Sequence, residues 1–296
     1  MLSPRLARIP LLLRGDSHDL APRAGRFTMA KRLLRRLLFR RFSGFLAVGR
    51  ANAEYFRAAG VSPKRIHFVP HCVDNQRFRD GAIDAAREAA DWRVQLGIPA
   101  AATVILFAGK FEPKKRPLDL LAAFLKVKAE GHGPEAERAV LLFVGGGALE
   151  GELRRMAGDL LGRSVFFAPF QNQTQMPKVY ASGDVVVLPS FGEGETWGLA
   201  VNEAMNLARP CIISTHVGCG PDLVLHGETG WIFEAGDVGA LAGVLAEALD
   251  AGQERRARMG ERGRRHIDGY SYEVATAGLR RALEAVTVGT DGVSKP

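Results

Sequence analysis

The most chemically loaded stretch of this sequence runs from Pro189 to Asn206, "PSFGEGETWGLAVNEAMN", and carries two acids, Glu195 and Glu203. Gly192, Gly194 and Gly198 crowd around the first acid, and apolar residues surround the second. Eight residues along an ideal helix are about 12 Å of rise and roughly 80° of rotation. That is too far for the carboxylate pair of a retaining glycosidase, which needs about 5 to 5.5 Å, and a poor fit to an inverting pair at about 6.5 to 9.5 Å. The acids suit instead the two ends of one extended ligand. A helix that begins near Thr196 with Glu195 as its cap would leave the amides of Trp197, Gly198 and Leu199 free for an anion between them. A buried Glu203 would need donors such as ribose hydroxyls. A nucleotide sugar has this layout, with hydroxyls on the sugar, a diphosphate, and hydroxyls on the ribose.

A second loaded stretch is "GKFEPKKRP", where Gly109 precedes Lys110, Lys114, Lys115 and Arg116. Such a loop can hold a diphosphate as point charges, although a lone basic turn is more often simply solvated. A third is "VGGGALEGEL", which imitates a dinucleotide fingerprint but has Glu150 at the third glycine position. Glu150 and Glu152 would satisfy the helix dipole themselves, so Gly145 and Gly147 read as places of close backbone approach. Three cysteines form no CxxC pair, and no Asp-x-Asp occurs, so no metal site and no cofactor are expected. The odd cysteine count suits a reducing compartment, and cytoplasmic is the expected location.

These residues must be positioned by a scaffold. From about residue 100 short apolar runs alternate with amphipathic stretches: "TVILFAG", "AVLLFVG", "SVFFAP", "DVVVLP", "PCIIS" and "GWIF". The runs are apolar on consecutive residues, as strands covered on both faces must be. The pattern predicts an α/β domain with a doubly wound parallel sheet, whose ligands sit beyond the carboxyl ends of the strands. Both acids and the lysine loop follow such strands. Before this domain, "RIPLLLR", "GFLAVG" and "RIHFVPH" are three more strand candidates. The expected organisation is an amino-terminal part over 1–80, a linker with a short helix over 81–99, a donor-binding domain over 100–268, a returning helix over 269–286 and a disordered tail over 287–296.

The composition is that of a globular protein: 296 residues, 47% hydrophobic and 24% charged, with no apolar run long enough to span a bilayer. The net charge of +8 favours an anionic partner. Nucleic acid is not expected, because aromatic residues are only 8% and no stacking or recognition motif occurs.

The stretch "PSFGEGETWGLAVNEAMNLARPCIISTHVGCGPDLVLHGETGWIF" resembles the carboxyl-terminal core of family 4 retaining glycosyltransferases of the GT-B fold, with Glu195 and Glu203 as the two acids of a Glu-x7-Glu motif. "FAGKFEPKKRPLDLLAAF" is similar to the basic phosphate loop of that family. The resemblance covers about residues 45 to 285. It implies a complete Rossmann-like carboxyl-terminal domain and an incomplete Rossmann-like amino-terminal one. It further implies that Glu203 binds the ribose and Glu195 the donor sugar, that Lys110 and Lys115 hold the diphosphate, that the backbone near Thr196 to Leu199 holds the distal phosphate, and that the loop around Phe170 meets the base. The substrate would be a nucleoside diphosphate sugar of the UDP or GDP type and the acceptor a glycan or a lipid-linked molecule. A nucleotide-sugar-binding fragment unable to turn over is the alternative. Many members of the family carry a histidine where Arg14 stands here, and His18 in "RGDSH" is close enough to substitute.

One helix candidate of the amino-terminal part, "MAKRLLRRLLFRRFSGF", has leucines on one face and Lys31, Arg32, Arg35, Arg36 and Arg40 over the rest. The first expectation is a domain helix whose leucines pack on the sheet. The second is peripheral contact of residues 30–42 with the inner face of the membrane.

Overall fold

The computed structural model describes residues 9–21 and 28–288, with the side chains of 33–287 in the second segment. Strands β1 (Leu12–Gly15), β2 (Gly44–Ala47) and β3 (Ile66–Phe68) alternate with helices α1 (Thr28–Phe39) and α2 (Arg50–Ala58). Helices α3 (Asn75–Asp80) and α4 (Ala82–Gln95) lead into β4 (Val104–Lys110), α5 (Pro117–Glu130), α6 (Gly133–Arg138), β5 (Val140–Gly146), α7 (Glu150–Ala157), β6 (Val165–Ala168), α8 (Met176–Ala181) and β7 (Val185–Leu188). The chain continues through α9 (Leu199–Asn206), β8 (Cys211–Ser214), α10 (Gly220–Leu223), β9 (Gly230–Phe233), α11 (Val238–Asp250), α12 (Gly252–His266) and α13 (Tyr272–Val288).

The strands form two parallel sheets, one of order β1-β2-β3 and one of order β6-β5-β4-β7-β8-β9. Numbered from its own first strand, the larger sheet runs 3-2-1-4-5-6, the doubly wound order of nucleotide-binding domains. All six of its strands were expected, for a simple reason. Successive residues of a strand point to opposite faces, and here both faces are covered. Leu106, Leu142, Val186 and Ile213 belong to one core with Tyr180, Ala204 and Met205; Ile105, Leu141, Val187 and Ile212 belong to another with Leu120, Phe124 and Leu245.

Residues 81–99, expected as a linker with a short helix, are mostly the fourteen-residue α4. Its Ala85 and Ala89 are buried in the first core beside Val179 and Tyr180, and its Arg93 guanidinium donates to the Ser182 carbonyl and the Asp184 carboxylate at 2.9 and 3.1 Å. The segment is therefore part of the larger domain. Helix α13 leaves that domain and packs on the small sheet: Ala282 is fully buried with Leu46 and Val69. A side chain at Gly278 would meet the Phe68 carbonyl at 2.0 Å. Residues 287 and 288 close this helix, and the rest of the expected tail, 289–296, lies outside the described residues.

Helix α1 corrects a second expectation. Leu33, Leu34, Leu37 and Leu38 are 49 to 68% exposed, so they do not pack on the sheet. Phe39 does, against Phe45 and Phe56. Among the described residues no helix is long and apolar enough to cross a membrane.

Candidate functional site

In the order β5-β4-β7-β8 the chain leaves β4 and β7 in opposite directions along the sheet, which opens a crevice beyond their carboxyl ends. The two loops that rim it are the lysine loop and the glutamate loop. Lys110 ends β4 and is exposed, and a single 3-10 turn, Pro113–Lys115, carries the next lysines. The loops are joined directly: the Phe191 amide donates to the Lys114 carbonyl at 2.8 Å, and Lys115 Nζ donates to Glu195 Oε2. Ser190 Oγ donates to the same oxygen at 2.8 Å. A side chain at Gly194 would touch the Lys114 stem at 3.0 Å, so glycine keeps this junction tight.

The glutamate is not a helix cap. Helix α9 begins at Leu199, behind Gly198 at φ 98°, with no side-chain cap. Glu195 lies four residues before the first helical residue, and its carboxylate is spent on Lys115 and Ser190. A side chain at Gly198 would press on Val217 and Leu188 at 2.9 and 3.0 Å, which, with the left-handed φ, requires glycine there. The later start moves the amide donors. The first amides of a helix have no partner within it, and here those belong to Leu199 and Ala200. The Trp197 ring is a core group: it is 3% exposed, its indole N–H donates to Asn202 Oδ1 at 2.8 Å, and it packs beside His71 and Tyr270.

Glu203 is buried, at 8% exposure, one helical turn beyond the start of α9. Gln173 Nε2 donates to its Oε1 at 2.6 Å. The Tyr180 hydroxyl lies beneath it, and its pKa is pushed well above the ordinary value by complete burial and then by the Glu203 charge and hydrogen bond. Gln173 belongs to the loop that follows β6, where Asn172 Oδ1 accepts the Thr174 and Gln175 amides at 3.1 and 3.3 Å. That turn leaves Phe170 78% exposed.

The glycine run at the end of β5 makes a close backbone contact. Gly145 pairs with Gly109 across the sheet, and a side chain on it would meet the Gly109 carbonyl at 2.0 Å; one on Gly147 would meet the Phe111 carbonyl at 2.6 Å. Glu150 opens α7 and pairs with Arg154 at 2.9 Å.

The small sheet also turns its carboxyl ends to this crevice. His18 follows β1 and is 3% exposed, so it is no surface histidine. The Leu20 amide donates to its Nδ1 at 3.2 Å, which leaves the proton on Nε2 to be donated to the Glu195 carbonyl at 3.3 Å. Asn52 steadies this segment by donating to the Ser17 carbonyl at 2.7 Å. Arg14 reaches the Pro70 carbonyl at 3.3 Å. Asp16 accepts the Thr196 hydroxyl at 2.7 Å and lies 3.7 Å from His71 Nε2. His71 escaped the sequence reading, although its position directly beyond β3 marks it by the same rule that singled out Lys110. Its pKa is lowered by burial and by the Arg14 cation, with Asp16 opposing.

Behind the crevice the two parts are pinned by Asp222. Its carboxylate accepts the Arg50 amide at 2.8 and 3.0 Å, capping α2 from the other domain, and accepts the Tyr270 hydroxyl at 3.0 Å. Burial raises its pKa, against the Arg50 amide and Tyr270. Among the described residues no group of three or more His, Cys, Asp or Glu could hold a metal ion. The structure thus brings Glu195, Lys115, Thr196 and His18 into one connected group, and sets Glu203 with Gln173 at its own end of α9.

Comparison with known proteins agrees with this architecture. The chain is 32% identical over 232 residues to D-inositol 3-phosphate glycosyltransferase 2 of Catenulispora acidiphila, a match covering 76% of this chain and 52% of that protein. It is 30% identical over 245 residues to D-inositol 3-phosphate glycosyltransferase of Rhodococcus erythropolis, covering 80% and 52%. The chain therefore spans about half the length of the curated relatives it matches. Among solved structures, Anabaena HepE in complex with UDP superposes with a TM-score of 0.76 at 20% identity, over 95% of this chain and 74% of that one. Sucrose-phosphate synthase from Thermosynechococcus elongatus gives 0.68 at 21% identity, over 94% and 68%. These likenesses establish the GT-B type of fold. Residues 88–266 match the family model "Glycosyl transferases group 1", which spans both rims of the crevice, and the chain belongs to that family.

Proposed function

We propose that the chain acts as a retaining glycosyltransferase of the family 4 type, moving a sugar from a UDP or GDP sugar to a glycan or a lipid-linked acceptor on the cytoplasmic side. The observation that carries this reading is Glu203. This deeply buried carboxylate is held by the Tyr180 hydroxyl beneath it and by one loop side chain, Gln173, which a ribose can replace as donor. From that end the ligand runs past the Leu199 and Ala200 amides, which take the distal phosphate, to Lys110 and Lys115, which take the diphosphate charge. The loop of Phe170 meets the base.

The sugar then lies against Glu195 and His18. The bond from the anomeric carbon to the diphosphate oxygen breaks with its electron pair going to the diphosphate, and the ring passes through an oxocarbenium-like state. The lysines and amides stabilise the charge that develops on the leaving group, an electrostatic task for donors already in place. The acceptor hydroxyl attacks from the face the diphosphate leaves and gives its proton to the departing phosphate oxygen, so configuration is retained. Support comes from family membership and from the UDP held by the structurally similar HepE.

The test is to incubate the chain with UDP and GDP sugars and a panel of glycan and lipid-linked acceptors, and to read the anomeric coupling of the product by NMR. An α-linked product from an α-linked donor is expected. A β-linked product would rule out the retaining assignment.

A further inference from the structure

Helix α1 turns its apolar side away from the protein. The side that meets the body is marked by Phe39, 7% exposed, and by Arg35, whose guanidinium lies 4.1 Å from the centre of the Tyr55 ring. At about 100° per residue, Leu33, Leu34, Leu37 and Leu38 centre roughly 150° away from that side. Their exposures of 60, 68, 49 and 54% agree with an outward-facing row. Leu11, also 49% exposed, lies past the end of the helix, where its carbonyl accepts the Ser43 amide at 2.7 Å. An apolar stripe on an amphipathic helix ordinarily faces the core, so this helix is the reverse of the usual arrangement.

The flank of the row is cationic. Arg36 and Arg40 fall between the leucines and the body, and with Arg65 they line a hollow of about 250 Å³ whose floor includes Gly60. Arg65 is held by the carbonyls of Ser43 and Phe39 at 3.3 and 3.4 Å. Between Asp19 and Glu54 the sequence has no acid at all, while Lys and Arg recur through it. A second copy of this chain would bring the same cations against these, and repulsion would oppose the pairing. An anionic bilayer matches both halves of the surface: its acyl boundary accepts leucines and its phosphates accept guanidinium groups.

We propose that this face of α1 lies on an anionic lipid bilayer, with Leu33, Leu34, Leu37 and Leu38 in the headgroup and acyl boundary and with Arg36, Arg40 and Arg65 against lipid phosphates. The surface is distinct from the crevice, and the proposal stands on residues that the donor site does not use.

Flotation of the full chain with vesicles of phosphatidylcholine alone, or with one third phosphatidylglycerol, tests it. Binding to the anionic vesicles and little to the neutral ones is expected. Leu34→Ser with Leu38→Ser should lower partition at least tenfold. Arg36→Gln with Arg40→Gln should lower it on the order of 25-fold, since each cation near an anionic surface is worth about fivefold, whereas the corresponding lysine pair should restore it. All these positions are exposed, and an unchanged circular dichroism spectrum confirms that the variants fold. Equal binding to both vesicle types, or unchanged binding by the leucine pair, would overturn the proposal. So would a dimer in gel filtration that the leucine pair dissolves, or binding of inorganic phosphate at the arginines without vesicle binding.

Discussion

Lys115 and Glu195 hold each other at 21 and 12% side-chain exposure. Lys115→Ala removes one charge-assisted contact to a diphosphate, worth about 1.5 to 3 kcal/mol, so the Kd of nucleoside diphosphates should rise about 10- to 150-fold while nucleosides change little. Isothermal titration with uridine and UDP separates the two, and equal losses for both would contradict the phosphate role. The types and spacing of these acids and lysines were legible in the sequence because charge next to glycine after a buried strand is a local signal. The contacts of His18 were not. Its neighbours Glu195 and Gly218 lie about two hundred residues away, and no local pattern reports them. The burial of the Trp197 ring was not legible either: only the fold reveals Gly49 and Asn202 packed around it.

At the scale of elements, the six strands of the larger sheet were read correctly because burial on both faces leaves an unbroken apolar run. The start of α9 was read three residues early. The break there is set by the φ of 98° at Gly198, and a sequence offering Gly192, Gly194 and Gly198 does not say which one takes it. Helix α4 was expected as a short helix within a linker; its packing into the larger domain was not legible, because it buries alanines, whose small side chains make a faint stripe. The glycines of β5 can be tested directly. Gly145→Ala puts a methyl group 2.0 Å from the Gly109 carbonyl at a φ of 144° and should cost at least about 2 kcal/mol in urea unfolding. Gly151→Ala, in α7 with open space around it, should instead be neutral or stabilise by up to about 1 kcal/mol. Similar stability of the two variants would contradict the close-approach role.

At the largest scale, the described residues form two parallel sheets that turn their carboxyl ends toward one crevice, with Asp222 and α13 fastening them at the back. His71 stands between them. Burial and Arg14 hold its pKa below the ordinary 6.5, so the folded protein binds that proton more weakly than the unfolded chain. Its contribution to stability is therefore fully present above pH of about 6.5 and is lost as pH falls toward and through the lower folded value. His67 shifts in the same direction, so the clean observable is a difference. The melting temperature of the wild type should fall more steeply than that of His71→Gln between about pH 7 and pH 5. Parallel curves would show that His71 makes no such contribution.

The central claim is that Glu203 and the lysine loop receive the two ends of a nucleoside diphosphate. Titration calorimetry of the chain and of Glu203→Ala with UDP, GDP and ADP tests it most directly. Selective binding of one diphosphate by the wild type is expected, with a loss of at least tenfold in affinity in the variant, since a buried acceptor of ribose hydroxyls is worth about 1.5 to 3 kcal/mol. The same affinity in both proteins, or no binding by a folded wild-type chain, would contradict it.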